Sequence, residues 1–228
     1  MIRKIFKIYS NVFKQKRRKI LFDKLHPVDN FKILDLGGND GTFLSILFPD
    51  FKKDNLYVAD ISEEALLNAK QKYGYNTILL DESGKIPFDD KYFDIIFCNS
   101  VIEHVTVNKN ECYKIDNWQE FNTKSFQRQQ IFANEIIRCS KSYFVQTPYK
   151  YFPIESHTWF PFFYLFLNRK YYLKCLNLIN KYWIKGSIPD CRLFTIKEMK
   201  QLFPNSEIIK ERNMLFVKSL IAINQSKN

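Results

Sequence analysis

ILDLGGNDGTF, residues 33 to 43, decides how this chain is read. A short apolar run carrying one acid, Asp35, leads into three glycines, Gly37, Gly38 and Gly41, within five positions. FKILDL, which begins two residues earlier, predicts a buried strand, and TFLSILF behind the glycines predicts a helix stopped near Pro49. Strand, glycine turn and helix in that order form a ligand cradle at the carboxyl edge of an open parallel sheet. Glycine allows the sharp turn there and a close backbone approach to the ligand. Two familiar cradles do not fit. No frame of the loop gives G-x-G-x-x-G, since Asn39 or Asp40 falls on its second glycine and Thr42 or Phe43 on its third. The Gly-Lys-Ser/Thr of a phosphate-binding loop is missing as well.

The same alternation continues outward. NLYVAD (55–60) reads as the second strand. ISEEALLNAKQKYG (61–74) reads as a helix with Ser62 as N-cap, Glu63 and Glu64 in its first turn and Gly74 just past its end. NTILL (76–80) and FDIIFCN (93–99) are strands, Phe132, Ala133, Ile136 and Ile137 mark a helix ending near Cys139, and SYFVQ (142–146) is a fifth strand. This order predicts an α/β protein, a Rossmann-like doubly wound sheet with helices on both faces. After Thr147 the pattern breaks. Fifteen of the 38 aromatic residues fall between 143 and 183, and TPYKYFPIESHTWFPFFYLF carries three prolines and no clean period, so an aromatic insertion or lid is expected. The alternation resumes at TIKEMKQLF (195–203), where Thr195 and Glu198 form a capping box, and ends with strands SEIIKE and KSLIAI. The expected divisions are a basic N-terminal helical segment (1–30), a core (31–146), the aromatic insertion (147–192) and a completion of the core (193–224).

Composition narrows the partners. With 228 residues and 46% hydrophobic content, the chain can bury one sizeable core. Its longest apolar run, Trp159 to Leu167, is too short for a bilayer, and no secretory signal is visible, which points to the cytoplasm. Five scattered cysteines read as reduced thiols, and three histidines far apart in sequence (26, 104, 157) give no metal site. Of the net charge of +11, eight charges lie in residues 1–24. That segment places Ile5, Ile8, Tyr9 and Val12 at helical spacing among cations. Three readings of it stay open: a solvated cap on the domain, a helix lying on an anionic membrane, or a contact with nucleic acid. No basic stripe follows residue 24, so nucleic acid is not the expected partner.

Acids recur where the strands end: Asp35 in the first, Asp60 closing the second and Asp81 after the third. Three carboxylates around one cleft repel a phosphate-rich ligand and suit one with hydroxyls, an amino group and positive charge. S-adenosyl-L-methionine has a ribose diol, an adenine, an ammonium and a sulfonium, and no phosphate. Asp60 can accept both ribose hydroxyls.

From about Phe31 to Ile223 the chain resembles the class I S-adenosylmethionine-dependent methyltransferases, in the broad small-molecule group that includes ubiquinone-type enzymes. DLGGNDG is similar to that family's D/E-x-G-x-G-x-G loop, with Asn39 in place of the middle glycine, a residue that tolerates the left-handed region. VADIS matches the second strand, and LLDESGKIPFDDKYFDIIFCNSVIEHV the segment through the fourth. The resemblance implies seven strands with the last antiparallel. It implies cofactor contacts from Asp35, Gly37, Gly38, Asn39, Gly41, Asp60, Ile61, Asp81 (to the adenine amino group) and Asn99. For Asp35 a helix-dipole partner, and for Asp81 a turn former, are the plainer readings.

Methyl transfer is an in-line displacement in which alignment in a dry site contributes most. An oxygen or nitrogen acceptor also needs a base, and Glu103 and His104, just past the fourth strand, are the candidates; the pair could equally only fix the local turn. Glu155 and His157 either project into the cleft or stabilise their loop. A TP-x-x-x-FPIE-x-H stretch, Thr147 to His157, resembles ones that accompany polysaccharide and lipid-linked sugar synthesis in this family. The expected function is therefore methyl transfer, as O-methylation, to a small-molecule, glycan or lipid-linked acceptor, with peripheral membrane contact through residues 1–24. An RNA or protein methyltransferase, or a non-catalytic cofactor-binding module, is the alternative.

Overall fold

The computed structural model describes residues 2–81, 83–154, 166–182 and 186–225, with side chains from residue 11 onward. Seven strands form one sheet: β1 (Ile33–Leu36), β2 (Leu56–Asp60), β3 (Asn76–Leu79), β4 (Phe93–Asn99), β5 (Ser140–Pro148), β6 (Glu207–Asn213) and β7 (Phe216–Asn224). Their order is β3-β2-β1-β4-β5-β7-β6. β1 pairs in parallel with β2 and with β4. The two residues between β6 and β7, Met214 and Leu215, make those neighbours an antiparallel hairpin. This is the doubly wound sheet that the alternation predicts, with the antiparallel ending that the resemblance implies.

The chain divides into two compact units, residues 1–98 with 138–144 and 223–228, and residues 99–137 with 145–222. In the first, all four residues of β1 are buried, as a central parallel strand covered on both faces must be. Helix α2 (Thr42–Leu47) follows the glycine loop, and α3 (Glu63–Tyr73) joins β2 to β3. The ends of α3 are the ones read from sequence: Ser62 Oγ accepts from Ala65 N, and Gly74 closes it at φ 73°. The N-terminal helix α1 (Ile2–Leu25) buries Phe13, Arg17, Leu21 and Leu25 at fourfold spacing, while Val12 is 60% exposed. The inward stripe therefore lies one residue away from the one that Val12 suggests. Arg18 Nε donates to Leu47 O at 2.9 Å, and Phe22 meets Phe48 and Phe51. Part of the basic helix is thus built into its unit.

The second unit holds α4 (Lys109–Cys112), most of α5 (Trp118–Cys139), α6 (Arg169–Tyr182) and α7 (Ile196–Leu202). Asn117 caps α5, its Oδ1 accepting from Gln119 N at 2.7 Å. The capping box of α7 is complete, with Thr195 and Glu198 bonded reciprocally. Helix α6 lies inside the aromatic region and buries Tyr172, Leu176 and Ile179. The remainder of the aromatic insertion, including Glu155 and His157, lies outside the described residues.

Candidate functional site

The glycine loop sits where the chain, having run outward from β1 through β2 and β3, crosses back to β4 on the other side of β1. That is the switch point at which open parallel sheets bind ligands. The end of β2 holds the loop in shape. Gly37 N donates to Ala59 O at 2.7 Å, and Asn39 N donates to Asp60 Oδ2 at 2.9 Å. Asp60 Oδ1 also accepts from Ser62 N at 3.0 Å, tying the loop to the start of α3. Each carboxylate oxygen accepts two bonds readily, so both keep capacity for a ligand hydroxyl. Asn39 sits in the left-handed region at φ 51°, as its place in the loop requires.

Two glycines serve the chain itself. A Cβ on Gly38 would stand 2.7 Å from Asp35 Cγ and Oδ2, and one on Gly41, at φ +71°, would stand 2.9 Å from the Tyr75 ring. The loop thus closes over its own acid and its own tyrosine. Gly38→Ala is expected to cost about 1–3 kcal/mol by overpacking against Asp35. It should lower cofactor affinity along with the melting temperature, measured by thermal shift with and without S-adenosylmethionine.

Asp35 is the unusual group. It is 3% exposed, and its Oδ2 is buried with no hydrogen-bond partner; the Tyr75 hydroxyl is in the same position. Burial first, and then the neighbouring Asp60 charge, push the Asp35 carboxyl up to about 7. The same burial raises Tyr75 to about 12, with Tyr73 and Asp35 adding to it. A buried acid that lacks an internal donor and faces a second acid suits a cationic ligand.

The other sequence-marked residues fall as follows. Asp40 turns to α2, accepting from Thr42 N at 3.0 Å and from Thr42 Oγ1 at 2.8 Å. Asp81 holds a turn: its Oδ1 accepts from Ser83 N and from the Ser83 hydroxyl, which chiefly keeps its carboxyl below the usual range. Ile61 is 63% exposed beside Asp60. Asn99 ends β4. The structure brings Asp35, Gly37, Gly38, Asn39, Gly41, Asp60 and Ile61 together at the ends of β1 and β2, and Leu80 N to Asp60 O at 2.9 Å fixes the approach to Asp81.

In the second unit, Glu103 and His104 lie in a short 3-10 turn, Ile102–His104. Glu103 is fully buried and accepts from the Thr147 hydroxyl at 3.0 Å. His104 is partly exposed, with its Nδ1 3.1 Å from Asp190 Oδ1. Sequence reasoning missed Asp190 because 86 residues separate the pair. Among the described residues no group of His, Cys, Asp and Glu could hold a metal ion, and no helix is long and apolar enough to cross a membrane.

Residues 34–115 match the family model described as a methyltransferase domain. Solved structures share the fold. A protein from Pyrococcus horikoshii OT3 matches at 14% identity and a TM-score of 0.56, covering 96% of this chain and 91% of that one. The magnesium protoporphyrin IX methyltransferase of Synechocystis PCC 6803, solved with bound SAH, matches at 14% identity and 0.54, covering 99% and 88%. The YcgJ protein of Bacillus subtilis matches at 14% identity and 0.51, covering 87% and 71%. No curated protein matches the sequence. The matched segment is similar to a methyltransferase domain, and it lies on a seven-stranded sheet of the fold these structures share. The matched methyltransferase segment supports S-adenosyl-L-methionine as the cofactor, and the buried Asp35 Oδ2 without a partner beneath the glycine loop fits that cation.

Proposed function

We propose that this enzyme methylates a hydroxyl oxygen on a small-molecule, glycan or lipid-linked acceptor. One observation carries the reading of an acceptor that gives up a proton, as a hydroxyl does: His104 presents an imidazole paired through Nδ1 with a carboxylate, an arrangement suited to a general base. The bound cofactor supplies an electrophilic methyl carbon on a sulfonium. Asp60 takes the ribose hydroxyls, Asp35 compensates the positive end of the cofactor, and Gly37, Gly38, Asn39 and Gly41 give it a close backbone surface. Ile61 covers an apolar face of the adenine, Asp81 Oδ2 accepts from its amino group, and Asn99 completes the set. Glu103, buried on Thr147, holds the turn that carries His104. Incubation with S-adenosylmethionine and a panel of hydroxyl, amine, thiol and carboxylate acceptors, read as S-adenosylhomocysteine release, tests this. Turnover of hydroxyl compounds alone supports it, and turnover confined to amines, RNA or protein refutes it.

The same reading places the enzyme at an anionic membrane surface. Helix α1 exposes Val12, Lys16 and Lys19, and the β6–β7 hairpin tip leaves Met214 91% and Leu215 85% exposed beside the exposed Arg212. Apolar side chains set among cations favour anionic lipid. Flotation with phosphatidylserine vesicles at low salt is expected to carry the protein upward, and its absence from the floated fraction would remove this part of the proposal.

A further inference from the structure

In the second unit, residues 189–192 are strapped to the turn that bears Glu103 and His104. Arg192 N donates to Glu103 O at 2.9 Å, and the Thr106 hydroxyl donates to Asp190 O at 2.7 Å. Gln129 Nε2, buried on α5, donates to Ile102 O at 3.0 Å and to Arg192 O at 3.3 Å, joining the two segments from behind. The Arg192 guanidinium bonds Gln129 Oε1 at 3.0 Å and pairs with Glu198 of α7.

A second anchor stands beside the strap. Arg169 is wholly buried, its guanidinium 3.6 Å from the centre of the Phe121 ring. It donates to Cys112 O at 2.8 Å, to Ile115 O at 2.8 Å and to Pro189 O at 3.2 Å. A guanidinium carries fixed donors in one plane, so it sets the position of the carbonyl just before Asp190. So many bonds leave the Asp190 carboxylate little freedom. At 9% exposure it needs a partner, and the partner it meets is His104 Nδ1.

We infer that Asp190 is a positioning residue for His104: it fixes the proton on Nδ1 and keeps the ring basic, so that the lone pair is on Nε2. This rests on the reading of His104 as the base. The balance is simple. The acceptor hydroxyl gives its proton to Nε2, its oxygen forms the bond to the methyl carbon as the carbon–sulfur bond breaks, and a neutral thioether leaves. The imidazolium that results stands against the Asp190 carboxylate. This device suits a neutral hydroxyl, because an acceptor that is already anionic needs no base. Other charged groups in these bonds are Arg169, on the carbonyl of Pro189; Glu103, bonded to Thr147; and the Arg192–Glu198 pair.

Nitrogen-edited NMR of the imidazoles tests the inference without knowing the acceptor, since the chain has three histidines and His104→Gln identifies the signal. Wild type is expected to show the Nδ1–H tautomer. Asp190→Asn is expected to lower the His104 pKa by about half a unit to one unit, roughly three- to tenfold in proton affinity, while S-adenosylmethionine binding by calorimetry stays within about twofold. Asp190→Glu should recover part of the shift, and it decides the matter should Asp190→Asn fail to fold. An Nε2–H tautomer in wild type, or a His104 pKa indifferent to both substitutions, overturns the role of Asp190. Failure of the base reading shows separately, as His104→Gln releasing S-adenosylhomocysteine at the wild-type rate across the hydroxyl panel. In that case the catalytic meaning of the pair falls with it.

Discussion

Asp60→Ala is expected to weaken S-adenosylmethionine binding on the order of a thousandfold, while the protein stays folded. Among the described residues the carboxylate clips the glycine loop to the start of α3, through Asn39 N and Ser62 N. It is also the group assigned to the ribose diol. Hydrogen bonds to an ionised acceptor contribute about 1.5–3 kcal/mol each, and each 1.4 kcal/mol is about tenfold in affinity. Losing two ligand bonds and loosening Asn39 together give that scale. Asp60→Asn should fall between, because an amide oxygen still accepts one bond but its nitrogen repels the other backbone donor. Isothermal titration across the three proteins checks the order, and equal affinities would remove Asp60 from the cofactor site.

Asp35→Asn is expected to do two opposite things. Without cofactor it should stabilise the protein at pH 8, and with cofactor it should lose affinity by roughly ten- to a hundredfold. The sign follows from the direction of the shift. The Asp35 carboxyl is pushed up to about 7 when folded, from 3.8, so the folded state holds its proton longer than the unfolded chain. Its contribution to stability therefore falls as pH rises from about 4 to 7, and the penalty is constant above that. Each unit of such a shift is about 1.4 kcal/mol, and in a chain of this size about 1 kcal/mol moves the melting temperature by about 2–4 °C. The substitution should thus raise the melting temperature by on the order of 10 °C at pH 8 and hardly at all at pH 4. Cofactor affinity of the wild type should rise from pH 6 to pH 8 more steeply than that of Asp35→Asn. A melting difference that does not change with pH would show that the carboxyl is not held up by burial. The enzyme accepts an unfavourable acid under its loop in exchange for a counter-charge to its ligand.

Much of this was legible in sequence because it is local. Ser62, Gly74, Thr195 and Glu198 act within one helical turn of themselves, so their pattern predicts the helix ends that the structure shows. Asp60 was legible for a related reason: a strand end followed at once by a helix start has few places for an acid to go. The glycines were read as a turn open to a ligand, and the structure adds a second use for two of them. Gly38 and Gly41 make room for Asp35 and Tyr75, and that crowding arises only when β1, the loop and the residue after Gly74 are packed together. Helix α6 carried no clear signal, since Tyr171, Tyr172 and Tyr182 continue an aromatic composition in which helical period is hard to see. Asp190 was invisible. It lies in a short stretch without regular structure, and only the bonds of Arg169, Thr106, Gln129 and Arg192 bring it to His104.

The central claim is that the acids at the ends of β1 and β2 make the hollow welcome a cationic nucleoside and exclude phosphorylated ones. Competitive calorimetry at pH 7.5 with S-adenosylmethionine, ATP and NAD measures it directly. One-to-one binding of S-adenosylmethionine that millimolar ATP or NAD does not displace is expected. Tighter binding of either phosphorylated nucleotide would contradict it.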